Sequence, residues 1–364
     1  MKALIAMSGG VDSSVAACLM KEAGWECTGI TMKLFQNEDV GLSRAHTCCS
    51  LEDVEDARSV ARRLKIPYYV FNFSDCFRER VMEKFVRSYE LGITPNPCID
   101  CNRYLKFEKL FQRAKELQFD CVVTGHYARI EYDADSGRYL LKKALDDSKD
   151  QSYVLYSMSQ EQLEHTRFPL GELTKPQVRE IAARHQFINA DKHDSQDICF
   201  VPDGDYAGFI ETYRNMQYPA GDFIDRDGNV LGKHRGIIRY TIGQRRGLAV
   251  SSNVPLYVCA IDRERNRVVL GPESELYART LIAKQINLIS VKAIEGEMRL
   301  KAKVRYRQKE QWAVVTQPEP DTLKITFDDP QRAVTKGQAV VLYEEDTVVG
   351  GGTIVEILGE PDKK

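Results

Sequence analysis

Up to Gly204 the chain alternates short apolar runs with amphipathic helical stretches, and beyond it that alternation stops. Ala3–Met7 is an apolar run, and Asp12–Glu22 has helical spacing with Val15, Leu19 and Met20 turned inward. Cys27–Leu34 reads as the next strand. Leu51–Leu64 carries apolar residues at Leu51, Val54, Ala57, Val60, Ala61 and Leu64, the three-and-four spacing of an amphipathic helix. Pro67–Phe73 (strand), Phe77–Tyr89 and Tyr104–Leu117 (helices) and Asp120–Thr124 (strand) continue the series. Strands separated by helices pair in parallel and are covered on both faces. The pattern predicts an α/β fold, Rossmann-like and doubly wound, over residues 1–204.

After Gly204, glycine turns (Asp227-Gly228, Gly232, Gly236, Gly243, Gly247, Gly271) separate short alternating runs, and helical periodicity is gone. Two small all-β domains are expected, 205–277 and 278–364, and their lengths suit small barrels or sandwiches. The chain shows no internal repeat or low-complexity tract, and Glu360–Lys364 is expected to be disordered. A chain of 364 residues suits two or three domains of roughly 100–200 residues each. No apolar run approaches the ~20 residues that cross a bilayer, and Met1–Met7 is too short for a leader or an anchor. Ten cysteines without a leader point to a reducing cytoplasm, where thiols serve chemistry or metals rather than a disulfide framework. No membrane partner is expected.

The net charge of −2 hides an asymmetry. Between Leu231 and Val314 there are 17 basic and 7 acidic residues, so this stretch carries +10 and the remainder −12. One end of the molecule is therefore suited to a polyanion. Within it, Arg299-Leu300-Lys301-Ala302-Lys303-Val304-Arg305-Tyr306-Arg307 alternates strictly, which places five cations on one strand face. Such a face repels itself unless an anion lies on it, and a phosphate backbone fits. An ordinary exposed strand usually mixes its charge signs.

Ser8-Gly9-Gly10-Val11-Asp12-Ser13-Ser14 follows a strand and opens a helix. Its glycines let the backbone turn sharply near a ligand, and the unpaired N–H groups of the helix start favour an anion. An N-capped turn is the plainer reading, since Asp and Ser are good caps. There is no Gly-x-x-x-x-Gly-Lys-Ser/Thr, so kinase or GTPase P-loop chemistry is not expected. Asn96-Pro97-Cys98-Ile99-Asp100-Cys101-Asn102 places a C-x-x-C on a loop just before a helix, where a thiol pKa falls toward the reactive thiolate. Ser195-Gln196-Asp197-Ile198-Cys199-Phe200 adds a third cysteine in a polar loop. Cys18, Cys27, Cys121 and Cys259 lie in apolar runs and read as core. Cys76 opens a helix without an evident partner. His165, His185 and His234 lack ligand spacing and read as surface residues.

The glycine turn resembles the pyrophosphate loop of the ATP-pyrophosphatase (PP-loop) enzymes. With it come Cys48-Cys49-Ser50, the C-x-x-C segment, Thr124-Gly125-His126-Tyr127, Lys149-Asp150-Gln151-Ser152-Tyr153, the Cys199 segment and Tyr240-Thr241-Ile242-Gly243-Gln244-Arg245-Arg246-Gly247-Leu248. In this order, across essentially the whole chain, they are similar to the MnmA (TrmU) family of tRNA-specific 2-thiouridylases. The resemblance implies a PP-loop catalytic domain, a small central β domain and a C-terminal β-barrel. It also implies ATP-dependent replacement of the 2-oxygen of the wobble uridine of tRNA by sulfur. Adenylation turns that oxygen into an AMP leaving group and opens C2 to sulfur, with Mg2+ neutralising the phosphates. Carried over by motif, Ala6, Met7, Ser8, Gly9, Gly10, Val11, Asp12, Ser13, Met32 and Gly125 hold ATP. Cys101 is the nucleophile and Cys199 the persulfide carrier. Asn96, Pro97 and Cys98 meet the target base, while His126, Lys149, Asp150, Gln151, Arg305, Tyr306 and Gln338 contact tRNA. Cys48-Cys49 is read as structural or substrate-side, and Gln244-Arg245-Arg246 as added grip or domain packing.

One departure is informative: the common family pattern has an aspartate, the proposed general base, where this chain has Cys98. Asp100 is displaced by two residues and cannot be assumed to replace it. Either Cys101 and Cys199 act through a persulfide and a transient disulfide with Cys98 as bystander, or Cys98, Cys101 and Cys199 ligate three irons of a [4Fe-4S] cluster whose fourth iron is open to hydrosulfide. Zinc would need a fourth ligand that is not evident. The sulfur donor could be a cysteine desulfurase, a sulfur-relay protein or free sulfide. Two other functions compete. A PP-loop synthetase adenylating a small molecule, like argininosuccinate or GMP synthetase, leaves the basic β half unexplained. A non-catalytic RNA-binding or iron–sulfur protein leaves the intact SGGVDSS turn unexplained.

Overall fold

The computed structural model describes residues 1–35, 51–192, 198–201 and 204–358. The Cys48-Cys49-Ser50 and Ser195-Gln196-Asp197 readings and the expected disorder of Glu360–Lys364 lie outside these residues. Two compact units form. One holds Met1–Val81, Cys98–Gly204 and Asp346–Val349; the other holds Met82–Pro97, Asp205–Glu345 and Gly350–Lys364.

In the first unit, β1 (Lys2–Ala6) leads into α1 (Val11–Glu22), then β2 (Glu26–Lys33), α2 (Leu51–Leu64) and β3 (Tyr68–Asn72). β4 (Cys121–Val123) follows, then the hairpin β5 (Ala128–Asp133) and β6 (Arg138–Lys143), and the short β7 (Thr166–Arg167). The order β3-β2-β1-β4-β7 is parallel throughout. This is the doubly wound sheet that the alternation predicts. β1 and β4 are neighbours although two strands and several helices separate them in sequence, so strand order reverses there. Such switch points leave a crevice at the carboxyl ends of the strands. The core beneath is Ala3, Ile5, Val15, Val60, Val123 and their neighbours, all essentially without exposure. α2 departs from its predicted face. Leu51 is 87% exposed while Asp53 is buried, because the first turn of α2 meets the loop after β1.

The second unit carries β8 (Gly221–Ile224), β9 (Val230–His234), β10 (Tyr257–Asp262) and β11 (Arg267–Gly271), ordered β10-β11-β8-β9. Six further strands follow: β12 (Tyr277–Leu288), β13 (Met298–Lys303), β14 (Gln311–Glu319), β15 (Thr322–Arg332), β16 (Ala339–Glu344) and β17 (Thr347–Leu358). They run β12-β15-β14-β13-β16-β17, and the pairing of β12 with β17 closes a barrel and removes its edges. Helical structure does not vanish after Gly204, as the sequence reading held: Tyr206–Arg214 is a helix, capped by the Asp205 side chain on Gly208 N at 3.0 Å. Its Arg214 pairs with Glu83 and Glu90, and its Phe209 meets Phe85, so helix Glu83–Glu90 belongs to this unit. His234 is buried rather than exposed. It bonds Asn266 O at 3.0 Å and packs edge-on against Phe223 and Tyr240.

Candidate active site

The turn after β1 is built by backbone geometry. Gly9 has φ +79°, and a Cβ there would lie 2.4 Å from the Asp53 carbonyl oxygen, so no other residue allows this approach. Gly10 is the N-cap of α1 and makes no side-chain cap. Ser13 Oγ instead turns back, accepting from Ser8 N at 3.1 Å and donating to Gly10 O at 3.0 Å. The helix start thus presents backbone N–H groups to the crevice, an arrangement suited to phosphate. The loop after β4 closes the other wall, where Gly125 lies so near the first turn of α1 that a Cβ would be 2.7 Å from Ser13 N. Met32, half-buried on β2, lies on the same sheet.

Asp12 is held from two sides. Lys175 Nζ donates to both its carboxylate oxygens at 2.7 and 2.9 Å, and Tyr127 OH donates to Oδ1 at 2.7 Å. Asn189 Nδ2 donates to Gly9 O at 2.8 Å and to Ser14 Oγ at 2.9 Å, while its buried Oδ1 has no hydrogen-bond partner among the described residues. Lys192 bridges Asp53 and Asp56 at 2.7 Å each. Sequence reasoning missed Lys175, Asn189 and Lys192. Their partners lie more than a hundred positions away, and of the two groups that hold Asp12 Tyr127 alone stood within a recognised motif.

His126 is buried. Its Nδ1 shares a 2.7 Å hydrogen bond with Thr124 Oγ1, and its Nε2 lies 3.3 Å from Lys106 Nζ. Burial, and then the Lys106 ammonium, hold its pKa well below the usual histidine range, so the imidazole is neutral. Gln151 is tied to Tyr127 by two hydrogen bonds: its N donates to Tyr127 O at 2.9 Å and its Oε1 accepts from Tyr127 N at 3.0 Å. Asp150 accepts from Ala144 N and from Ser152 N and Oγ. These two side chains shape a turn, and Lys149 beside them is half-buried.

The C-x-x-C corrects its sequence reading. It lies inside a helix, not on a loop before one: Pro97–Asp100 is α-helical and runs into a π-helical stretch Cys101–Lys109, then Leu110–Glu116. Pro97 opens it because its φ is preset and its missing N–H is not needed there. Cys98 is exposed and Cys101 half-buried, three residues apart and so on one helical face. Asp100 is buried on another. π-helical turns are frequent at functional sites. Cys199 is half-buried, and Phe200 after it packs edge-on against Phe77 with centroids 5.5 Å apart. Cys18, Cys27 and Cys121 are core, and Cys259 is half-buried with a pKa pushed by burial to about 11. Among the described residues the three-donor cluster within 4.8 Å is Cys18, Glu22 and His185.

In the barrel, β13 ends at Lys303, so the predicted strand through Arg307 is too long, and Arg305 enters the following turn. Arg299 pairs with Asp328 at 2.6 Å; it and Lys301 lie over the Trp312 ring, each at 5.3 Å. Lys303 lies over Tyr306, which is exposed. Arg305 Nη2 donates to Ala333 O at 2.8 Å, Thr335 Oγ1 at 3.1 Å and Ile242 O at 3.3 Å. Gln338 Nε2 donates to Thr94 O and Pro95 O.

Comparison with known proteins accounts for nearly the whole chain. Residues 1–203 match the family described as tRNA methyl transferase HUP domain, 207–272 the tRNA methyl transferase PRC-barrel domain, and 278–354 the aminomethyltransferase beta-barrel domain. A "tRNA-specific 2-thiouridylase MnmA" of Clostridioides difficile is 49% identical over 98% of this chain and 99% of its own length. "tRNA-specific 2-thiouridylase MnmA 1" of Thermoanaerobacter pseudethanolicus is 52% identical over 97% of each chain. The MnmA of Acetivibrio thermocellus is 50% identical over 97% of this chain and 99% of its own. With a HUP domain holding the glycine turn at its switch point and two β modules following it in sequence, the chain belongs to the MnmA family of tRNA-specific 2-thiouridylases.

Proposed function

We propose that this chain uses ATP to replace the 2-oxygen of the wobble uridine of tRNA by sulfur, with release of AMP and pyrophosphate. The observation that carries this reading is the start of α1: backbone donors without a side-chain cap, at a switch point, with the Asp12 carboxylate fixed beside them. Residues 1–204 are the catalytic domain, 205–277 the central β domain and 278–364 the tRNA-binding barrel. The Ala6–Ser13 turn, with Met32 and Gly125, binds ATP. The carboxylate of Asp12 fits Mg2+, which when bound neutralises phosphate charge. Lys175 is then left to face the departing pyrophosphate. Asn96, Pro97 and Cys98 receive the uracil.

Adenylation joins the uracil 2-oxygen to the α-phosphorus as pyrophosphate leaves. The terminal sulfur of a Cys199 persulfide attacks C2, and AMP leaves. The Cys101 thiolate then attacks the Cys199 sulfur, which breaks the S–S bond and leaves sulfur on the base. The resulting Cys101–Cys199 disulfide is reopened by a thiol reductant. Sulfane sulfur passes to the Cys199 thiolate from the persulfide of a desulfurase or relay protein in the cytoplasm; free sulfide would serve instead by attacking Cys199 in the Cys101–Cys199 disulfide, which forms the persulfide and releases the Cys101 thiolate. Cys98 favours a second reading. Its exposure on the face it shares with Cys101 suits, together with Cys199, the all-thiolate donor set of a [4Fe-4S] cluster, which would supply an open iron for sulfide.

The test measures pyrophosphate release and 2-thiouridine formation when tRNA, or a panel of small carbonyl acceptors, is added with ATP. Release that depends on tRNA and tracks thiouridine supports the proposal. Release with a small acceptor alone overturns it.

A further inference from the structure

Thr94-Pro95-Asn96-Pro97 leads directly into the helix of the C-x-x-C. Two of its four residues lack an N–H, and the residue before each proline is held extended. The segment has only two N–H groups of its own, so its carbonyls draw donors from elsewhere. The barrel supplies them. Gln338 Nε2 donates to Thr94 O at 2.9 Å and to Pro95 O at 3.0 Å, and Thr94 N donates back to Lys336 O at 3.2 Å. Gly337 between them has φ +88°, and a Cβ there would lie 2.2 Å from Ile93 Cγ2. The positive φ favours glycine, and a Cβ would also lie 3.1 Å from Thr94 O, so a larger residue would have to push the Ile93 side chain and this carbonyl aside.

The loop that makes these contacts is itself anchored. Gly337 N donates to Ile354 O at 2.9 Å, and Ile354 N donates to Gln338 O at 2.8 Å, fixing it to β17. Arg305 holds Ala333 O and the Thr335 hydroxyl just upstream. We infer that Gln338, seated by Gly337 and Arg305, is a positioning residue that fixes the segment presenting Asn96 and Pro97 to the target base. This inference rests on the thiolation reading. Both amide protons of Gln338 are engaged on protein carbonyls, so its side chain has no donor left for RNA. Its effect on tRNA is exerted through Thr94 and Pro95.

The experiment uses the full-length protein. Gln338→Ala should slow single-turnover thiolation about 10–100-fold through misplacement of the segment while leaving the tRNA dissociation constant within about twofold. Gln338→Glu keeps the size but aims a carboxylate at two carbonyls, and should be slower still. Hydrogen exchange without ATP or tRNA should quicken at Thr94, Asn96 and Cys98 in both variants and stay unchanged along β12 and β15. Gly337→Val should give the same exchange signature. Wild-type exchange at these amides in Gln338→Ala, or a rate defect abolished by saturating tRNA, would overturn the positioning role. If wild type itself forms no thiouridine, the thiolation reading fails while the exchange result still reports on the strap.

Discussion

The turn after β1 and the basic strand β13 are the two most emphatic patterns in the sequence, and they behave differently on folding. The turn works through backbone: the positive φ of Gly9, the cap-free start of α1 and the short reach of Ser13 to Ser8 all lie within six residues. Contiguous sequence can specify such a site. The strand works through side chains, and what each cation does depends on groups from elsewhere in the chain. Asp328 takes Arg299, Trp312 lies under Lys301, and in the turn after the strand three acceptors on distant loops take Arg305. An alternating charge pattern fixes a face, but it does not say which charges remain available to a ligand.

The largest effect should come from the turn. Asp12→Ala removes the carboxylate fixed at the helix start and should reduce AMP and pyrophosphate formation by about 10²–10³-fold or more, the scale of a preorganised charge at a reacting phosphate. Ser13→Ala should follow, with near-ultraviolet circular dichroism unchanged in both variants. Normal pyrophosphate release from Asp12→Ala would remove the turn from the chemistry.

The cysteines come next, and they separate the two sulfur routes. With a persulfide, Cys101→Ala and Cys199→Ala lose thiolation while Cys98→Ala keeps most of it. With a cluster, all three variants lose iron and activity together after anaerobic purification, and reconstituted wild type thiolates tRNA with free sulfide. Cys98→Asp restores the commoner family pattern, and a carboxylate ligates iron less softly than a thiolate. An active, iron-free wild type with a dispensable Cys98 rules the cluster out and leaves the ATP and tRNA assignments standing.

Within the barrel the same substitution should have two different consequences. Lys301→Ala with Lys303→Ala should lower the log–log salt slope of tRNA binding by about 1.4–1.8, since each phosphate contact contributes roughly 0.7–0.9. Arg305→Ala should instead cost stability, about 1.5–3 kcal/mol for the loss of charged donors to partly buried acceptors. Denaturation in a Trp25→Phe background, where Trp312 is the remaining tryptophan, would report it. A slope unchanged by the lysine pair would mean that the strand is simply solvated.

The periodic parts of the chain were legible. β1 to β3 and their helices lie within a residue or two of the pattern; β1, β2 and the helices bury most of their apolar residues, whereas the edge strand β3 leaves Tyr69 and Val70 exposed. What escaped the sequence has a common physical origin. Leu51 fits the apolar stripe of α2 but gives way to Asp53, because the turn at Gly9 packs against that end. The helix Tyr206–Arg214 was hidden by Gly208 within nine residues, and Phe209 finds its partner at Phe85. Lys175 has no local signature, since its purpose lies at Asp12, 163 positions away. Gln338 likewise carries no local sign that its amide donates to Thr94 O and Pro95 O, more than 240 positions away.

His126 extends the contrast to the smallest effect. The sequence pattern offers it to tRNA, but the fold buries it as a neutral ring between Thr124 and Lys106, packed near Phe107 and Phe168. Its folded pKa is depressed, first by burial and then by the Lys106 charge. A depressed histidine pKa means that the unfolded chain takes up a proton near pH ~6.5 while the folded chain does not. The stability contributed is therefore complete above that pH and declines below it, at up to about 1.4 kcal/mol per pH unit for one proton. His126→Gln keeps a polar group of similar reach and removes the titration. Urea unfolding between pH 7.5 and 5, followed through Trp25 in a Trp312→Phe background, should show the acid limb of the variant flatter than that of the parent by about one proton. Equal limbs would mean that the ring gains a proton in the folded protein, and would return His126 to the groups able to face a phosphate.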